Sequence, residues 1–391
     1  MKKNRTMTSI KGDFRGAISA ATINLPLIIG YSITGFSALG NDFLPQAVVI
    51  GIIAAVFSCL LAALFSGTPT MISGPSAPLT IVLISIIAEL KTSLAPYMNH
   101  GEAQFLILGA AALCLMAGGL FQALLGFFRI GSLAKYVPYP VVSGFINGIA
   151  IALIFHQLPN LLGLENSGTL FGLIQNLQLA DPATLLTGGV TIAVMIGLKR
   201  YAPNFSPPFC GMLAGVAMHL LMQAVMNGNA SGRVIGNIQM DVVKTAFFGV
   251  SWQALNDSIV VSVLPNVLFF GLILCLISSI ETLMSSAAIG YRTGERCDSN
   301  KDLIGQGIGN IAAAVVSALP SSGSLVRSFA NINSGGRSRW SGALCSVLIL
   351  VLFLATHPYL GKIPLAVLAG VIVAIGFSLF DFSEFSQLFA S

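Results

Sequence analysis

Gly67-Thr68-Pro69-Thr70-Met71-Ile72-Ser73-Gly74-Pro75-Ser76-Ala77-Pro78 puts three prolines and two glycines directly after the apolar run 45–65. No helix runs through it, because each proline removes a backbone N–H and clashes with the preceding turn. A second stretch, Pro320-Ser321-Ser322-Gly323-Ser324-Leu325-Val326-Arg327-Ser328, breaks the apolar sequence again. The rest of the chain sets both breaks at membrane depth. Of its 391 residues, 55% are hydrophobic and 8% are charged, and the mean hydropathy is +0.87. A soluble fold of this length cannot hide so much apolar surface, so lipid is the solvent. The apolar runs are continuous, unlike the alternating segments of an outer-membrane barrel, so helices carry the spans.

About twelve apolar segments are readable, and the two breaks open the third and the tenth. The spacing repeats: Ala17 to Ser76 and Pro265 to Ser324 are both 59 residues. Seven segments precede the second set. An odd number inverts it, so the all-α chain reads as an inverted repeat. Irregular backbone at this depth must be buried in protein or line a cavity, and paired interruptions in two halves point to a transporter binding site. The two short helices then start near the midplane with their N–H groups facing each other, a pocket for an anion. Two proline-kinked spans with no ligand are the alternative.

Glu281 is the one carboxylate that this reading puts deep within a span. Such an acid costs roughly 2.5–3.5 kcal/mol on insertion scales unless neutralised or paired. It is a candidate proton carrier or cation ligand, with Ser285 one turn on. Arg327, in the first turn of the second short helix, is a candidate fixed positive charge behind the anion. The plainer readings are a Glu281–Arg327 pair joining two helices, and an Arg327 that snorkels to the surface. The glycine spacings Gly144-x-x-x-Gly148, Gly211-x-x-x-Gly215 and Gly305-x-x-x-Gly309 predict close helix packing. The six cysteines read as small hydrophobes, with no bridge or metal spacing. No metal cluster or nucleophile–base pair suggests an enzyme. The net charge of +5 is scattered at the ends of apolar runs and indicates no nucleic-acid partner. With the N-terminus in the cytoplasm, fourteen basic residues fall inside and four outside.

These residues and several longer blocks resemble the sulfate permease (SulP) family over nearly the whole chain. The blocks are Leu25-Pro26-Leu27 with Gly30-Tyr31, Val137-Pro138-Tyr139-Pro140-Val141-Val142-Ser143-Gly144-Phe145, and Asp298-Ser299-Asn300-Lys301-Asp302-Leu303-Ile304-Gly305-Gln306-Gly307-Ile308-Gly309-Asn310. The resemblance implies a 7+7 inverted-repeat transporter fold with core and gate domains and elevator-type alternating access. It divides the chain into a cytoplasmic N-terminus (1–16), a first repeat (17–226, segments 1–7), an extracytoplasmic loop (227–262) and a partial second repeat (263–391, segments 8–12). Two further gate segments and a STAS domain, usual in the family, would follow. Ser76 and Ala77 would line the substrate site from the third segment, and Gly323, Ser324, Leu325 and Arg327 from the tenth. Glu281 and Ser285 would handle the coupling ion.

The resemblance further implies a small anion as substrate, sulfate or bicarbonate first and a C4-dicarboxylate behind them. The coupling ion would be Na+ or H+, with no other cofactor. Sodium-coupled relatives carry a hydroxyl where Leu325 stands, which tilts the expectation to protons. A multi-pass homodimer in the lipid of the inner (plasma) membrane is implied. A truncated, non-transporting membrane partner subunit is the reading from another class.

Overall fold

The computed structural model describes residues 10–97, 103–131, 139–164, 175–202, 206–226, 232–238, 257–294, 296–316 and 318–379. Twelve α-helices lie among them, one for each segment read from the sequence. They are α1 Ile10–Phe36, α2 Leu44–Phe65, α3 Ala77–Ser93, α4 Ala103–Phe127, α5 Tyr139–Leu162, α6 Pro182–Tyr201, α7 Pro207–Val225, α8 Asp257–Thr293, α9 Ser299–Val316, α10 Leu325–Asn333, α11 Arg339–Leu360 and α12 Leu365–Leu379. Seven are long and apolar enough to cross a bilayer. Two three-residue strands, β1 Ile72–Gly74 and β2 Ser322–Ser324, stand just before α3 and α10. They occupy the two proline- and glycine-rich breaks. At 1.5 Å per residue α10 is only about 14 Å long, half of a bilayer core. The expected 1–16 and 227–262 segments lie largely outside the described residues.

The described residues form two compact units. The first draws on residues 10–24, 49–131 and 257–355, and the second on 25–48, 139–238 and 356–379. In the first, α4 packs along both α8 and α9. Glycines set these crossings. A Cβ on Gly119 would lie 2.8 Å from the Gly307 carbonyl oxygen, and one on Gly307 would lie 2.5 Å from that of Gly119. Gly305 and Gly309 abut Ser66 and Ser58 of the α2 end, as their spacing predicts. In the second unit α6 packs on α7 and α12 on α5 and α6. Gly211 and Gly215 meet Met195 and Thr191 there. Gly144 and Gly148 correct the sequence reading. A Cβ on either meets nothing within 4 Å, because that face of α5 is exposed.

The α4–α9 crossing leaves no room for a side chain. Gly307→Leu is expected to lower the unfolding midpoint in detergent by the equivalent of about 3 kcal/mol, the upper range for overpacking. Gly144→Ala, at an open position, is expected to leave it unchanged. Equal midpoints for the two variants would contradict the packing described.

Candidate functional site

The two breaks meet. β1 and β2 pair antiparallel, with Ile72 opposite Ser324, Ser73 opposite Gly323 and Gly74 opposite Ser322. Because a short helix follows each strand, the antiparallel pairing sets the starts of α3 and α10 at the two ends of one three-residue ladder within the first unit. Their N-cap residues are Ser76 and Ser324, and neither side chain bonds to its own first turn. The first-turn N–H groups of both helices thus have no partner inside the helix, and each start carries roughly +0.5 elementary charge.

A two-stranded sheet at membrane depth has outer edges that water cannot satisfy. One face of α8 satisfies β2. Ser278 Oγ donates to the Ser321 carbonyl at 2.9 Å, Thr282 Oγ1 accepts from the Gly323 N–H at 3.1 Å, and Ser285 Oγ donates to the Gly323 carbonyl at 2.9 Å. The i, i+4, i+7 spacing puts these three hydroxyls on one helix face. β1 is held from the other side. Ser328 Oγ accepts from the Ile72 N–H at 2.9 Å, Asn331 Nδ2 donates to the Thr70 carbonyl at 3.1 Å, and Asn24 Nδ2 donates to that of Ser73 at 3.4 Å.

A buried amide network backs the sheet. Ser73 Oγ donates to Gln306 Oε1 at 2.7 Å, and Gln306 Nε2 donates to Ser321 Oγ at 2.7 Å. One turn along α9, Asn310 Oδ1 accepts from the Ser321 N–H at 2.9 Å. Asn310 Nδ2 donates to Gln122 Oε1 of α4 at 3.1 Å.

Two carboxylates bond to segments around this sheet, in different environments. Glu281 Oε2 accepts two hydroxyls, Ser76 Oγ at 2.6 Å and Ser322 Oγ at 2.7 Å. Oε1 accepts no hydrogen bond from the described residues. Asp302, in the first turn of α9, is 0% exposed. Its oxygens accept from Ser66 Oγ, from the Thr68 N–H at 2.9 Å, from Thr68 Oγ1 at 2.7 Å and from Ser286 Oγ at 2.6 Å. Asp302 corrects the expectation that Glu281 is alone at depth. A first-turn acid on α9 reads as a surface group until the fold buries it.

Arg327 is 3% exposed. It neither snorkels nor makes a salt bridge to Glu281. Its Nη2 donates to the Pro75 carbonyl, the residue before the α3 N-cap. Gly74 makes the room, since a Cβ there would lie 2.2 Å from Arg327 Nη1. The guanidinium thus sits behind the junction of β1 and α3 as a fixed positive charge.

Of the other residues singled out in the sequence, Ala77 is buried at the first position of α3. Leu325 is 38% exposed at the first position of α10. The Gly323 amide and carbonyl are engaged by Thr282 and Ser285, so these hydroxyls hold β2. Sequence reasoning passed over Ser322, Thr282, Ser278, Gln306, Asn310 and Asp302. The signal was available as a polar stripe on α8 and as Gln306-x-x-x-Asn310 on one face of α9.

Two short helices that each follow one strand of a buried antiparallel pair, inside an otherwise all-α membrane chain, define an inverted-repeat transporter fold. The chain belongs to the Sulfate permease family, whose model matches residues 10–390. It is 31% identical over 380 residues to the bicarbonate transporter BicA of Synechocystis sp., covering 95% of this chain and 62% of that protein. It is 29% identical over 383 residues to BicA of Picosynechococcus sp., covering 96% of this chain and 62% of that one. The chain therefore spans under two thirds of the length of these relatives. Among solved structures, the transmembrane domain of a cyanobacterial BicA superposes with a TM-score of 0.79 at 28% identity, over 96% of this chain and 90% of that one. SLC26A9 superposes at 0.77 with 19% identity, over 97% and 59%, and shares the fold.

The four bonds at Asp302 join the end of α2, α8 and α9. Asp302→Asn removes the charge and turns an N–H2 toward existing donors. It is expected to destabilise the protein by about 3–5 kcal/mol, as for a buried charged group that loses its match. Ser286→Ala, which deletes one bond to a charged acceptor, is expected to cost about 1.5–3 kcal/mol. Thermal unfolding in detergent checks both, and an Asp302→Asn protein that melts like wild type would refute the brace.

Proposed function

We propose that this chain is the membrane domain of a secondary active transporter for a small anion, sulfate or bicarbonate. The anion sits between the starts of α3 and α10 and crosses by elevator-type movement. The observation that carries this reading is the β1–β2 pairing, which sets two uncapped helix starts, one after Ser76 and one after Ser324, at the two ends of one three-residue ladder. Helix starts of this kind bind sulfate, bicarbonate and carboxylates through backbone N–H groups and their dipole. Membership of the sulfate permease family and likeness to the BicA proteins agree with that chemistry.

Charge bookkeeping supports coupling at Glu281. Two helix starts and Arg327 supply roughly two positive charges, and an ionised Glu281 removes one of them. A proton or cation on Glu281 restores the field that an anion needs, so the two bind together. The chain presents leucine, not a hydroxyl, at position 325, which favours the proton. The bias of the basic residues supports an N-terminus on the cytoplasmic side of the cell membrane.

Uptake of labelled sulfate or bicarbonate into proteoliposomes tests the proposal, with proton and sodium gradients imposed separately. Uptake that rises with the inward proton gradient is expected, and uptake indifferent to both gradients contradicts coupling. Glu281→Gln is expected to lose gradient-driven accumulation while anion binding stays measurable by calorimetry. Wild-type accumulation by that variant would take Glu281 out of the mechanism.

A further inference from the structure

Ser322 is buried, lies in β2 opposite Gly74, and donates to the same carboxylate oxygen as Ser76. Ser76 belongs to the start of α3, whereas Ser322 belongs to the strand that leads into α10. Glu281 is therefore joined to both arms of the pocket through one atom, Oε2. We propose that Ser322 is a positioning residue for coupling: through it, the state of Glu281 reaches the α10 arm as well as the α3 arm. This rests on the anion reading above and deepens it.

The chemistry follows from what Oε2 can accept. An ionised carboxylate oxygen takes two hydroxyl donors. A proton or cation taken up at the open Oε1 neutralises the carboxylate and weakens both of these bonds together, because hydrogen bonds to a charged acceptor are the stronger ones. Ser76 is the N-cap of α3 and Ser322 lies three residues before Leu325, the first residue of α10, so the change reaches both helix starts. Coupling is thereby shared between two short helices that are also linked by the β1–β2 pairing and by the bond from Arg327 to the Pro75 carbonyl. Among the described residues at this junction the charged side chain besides Glu281 is Arg327 of α10, which donates to the Pro75 carbonyl. Ser76 and Ser322 are neutral donors, and Asp302 is bonded to Ser286 further along α8.

Anion binding to the purified chain in detergent tests this, read as a ratio of Kd values and not as a single affinity. Sulfate, whose charge is constant over the range, is titrated at about pH 5.5 and about pH 8.5, roughly a thousandfold change in proton concentration. Bicarbonate is titrated at the higher pH with and without sodium. Wild type is expected to show a ratio of about tenfold in one of these pairs, a usual size for coupled sites. Ser322→Ala is expected to cut that ratio below about threefold, and Ser322→Thr, which keeps the hydroxyl, to restore it. A purely structural serine would weaken binding equally in both conditions and leave the ratio intact. That result, or full coupling in Ser322→Ala, overturns the proposal while the anion reading stands. Wild-type protein that binds neither anion overturns both.

Discussion

Backbone polar groups inside a membrane must find partners in the protein itself, and this chain has to meet that demand at two irregular segments packed against each other. β1 and β2 satisfy one another along their shared edge. Their outer edges are met by side chains. Ser278, Thr282 and Ser285 of α8 serve β2. Ser328 and Asn331 of α10, with Asn24 of α1, serve β1. The helices around the sheet act as its missing strands. That is why hydroxyl and amide residues occur at helical spacing in spans that are otherwise apolar.

The same demand separates the two acids, Asp302 fully buried and Glu281 partly so. Asp302 takes four donors on its two oxygens, a carboxylate fully matched in its charged form. It ties the turn before β1 to α8 and α9. Glu281 takes two donors on one oxygen, and both come from the segments that precede the short helices. A saturated acid is suited to bracing, and a partly matched one to exchanging a proton or cation. Ser285 and Ser286 extend the division, since adjacent hydroxyls on α8 reach β2 and Asp302 respectively.

Much of this was legible in the sequence. The twelve helical segments follow from continuous apolar runs, and the two breaks follow from prolines that no helix tolerates. The 59-residue spacing predicts that the breaks correspond, and the pairing of β1 with β2 is its physical outcome. The register was not legible, because three-residue strands leave no alternation to read. Asp302 was missed for a related reason, since the α2 turn that buries it lies 234 residues away in the chain. Gly144 and Gly148 failed in the opposite direction. Their spacing is that of a packing motif, but a motif cannot say whether a neighbouring helix faces it. Arg327 was readable as a buried charge, while its partner, a backbone carbonyl, has no signature in sequence.

The central claim is that an anion rests between the starts of α3 and α10. Its most direct test is anomalous diffraction from crystals of the protein grown with selenate, a heavy analogue of sulfate. The account requires a selenium peak within hydrogen-bond reach of the first-turn N–H groups that follow Ser76 and Ser324. A peak at another site, or none at a selenate concentration that saturates binding in solution, would contradict it.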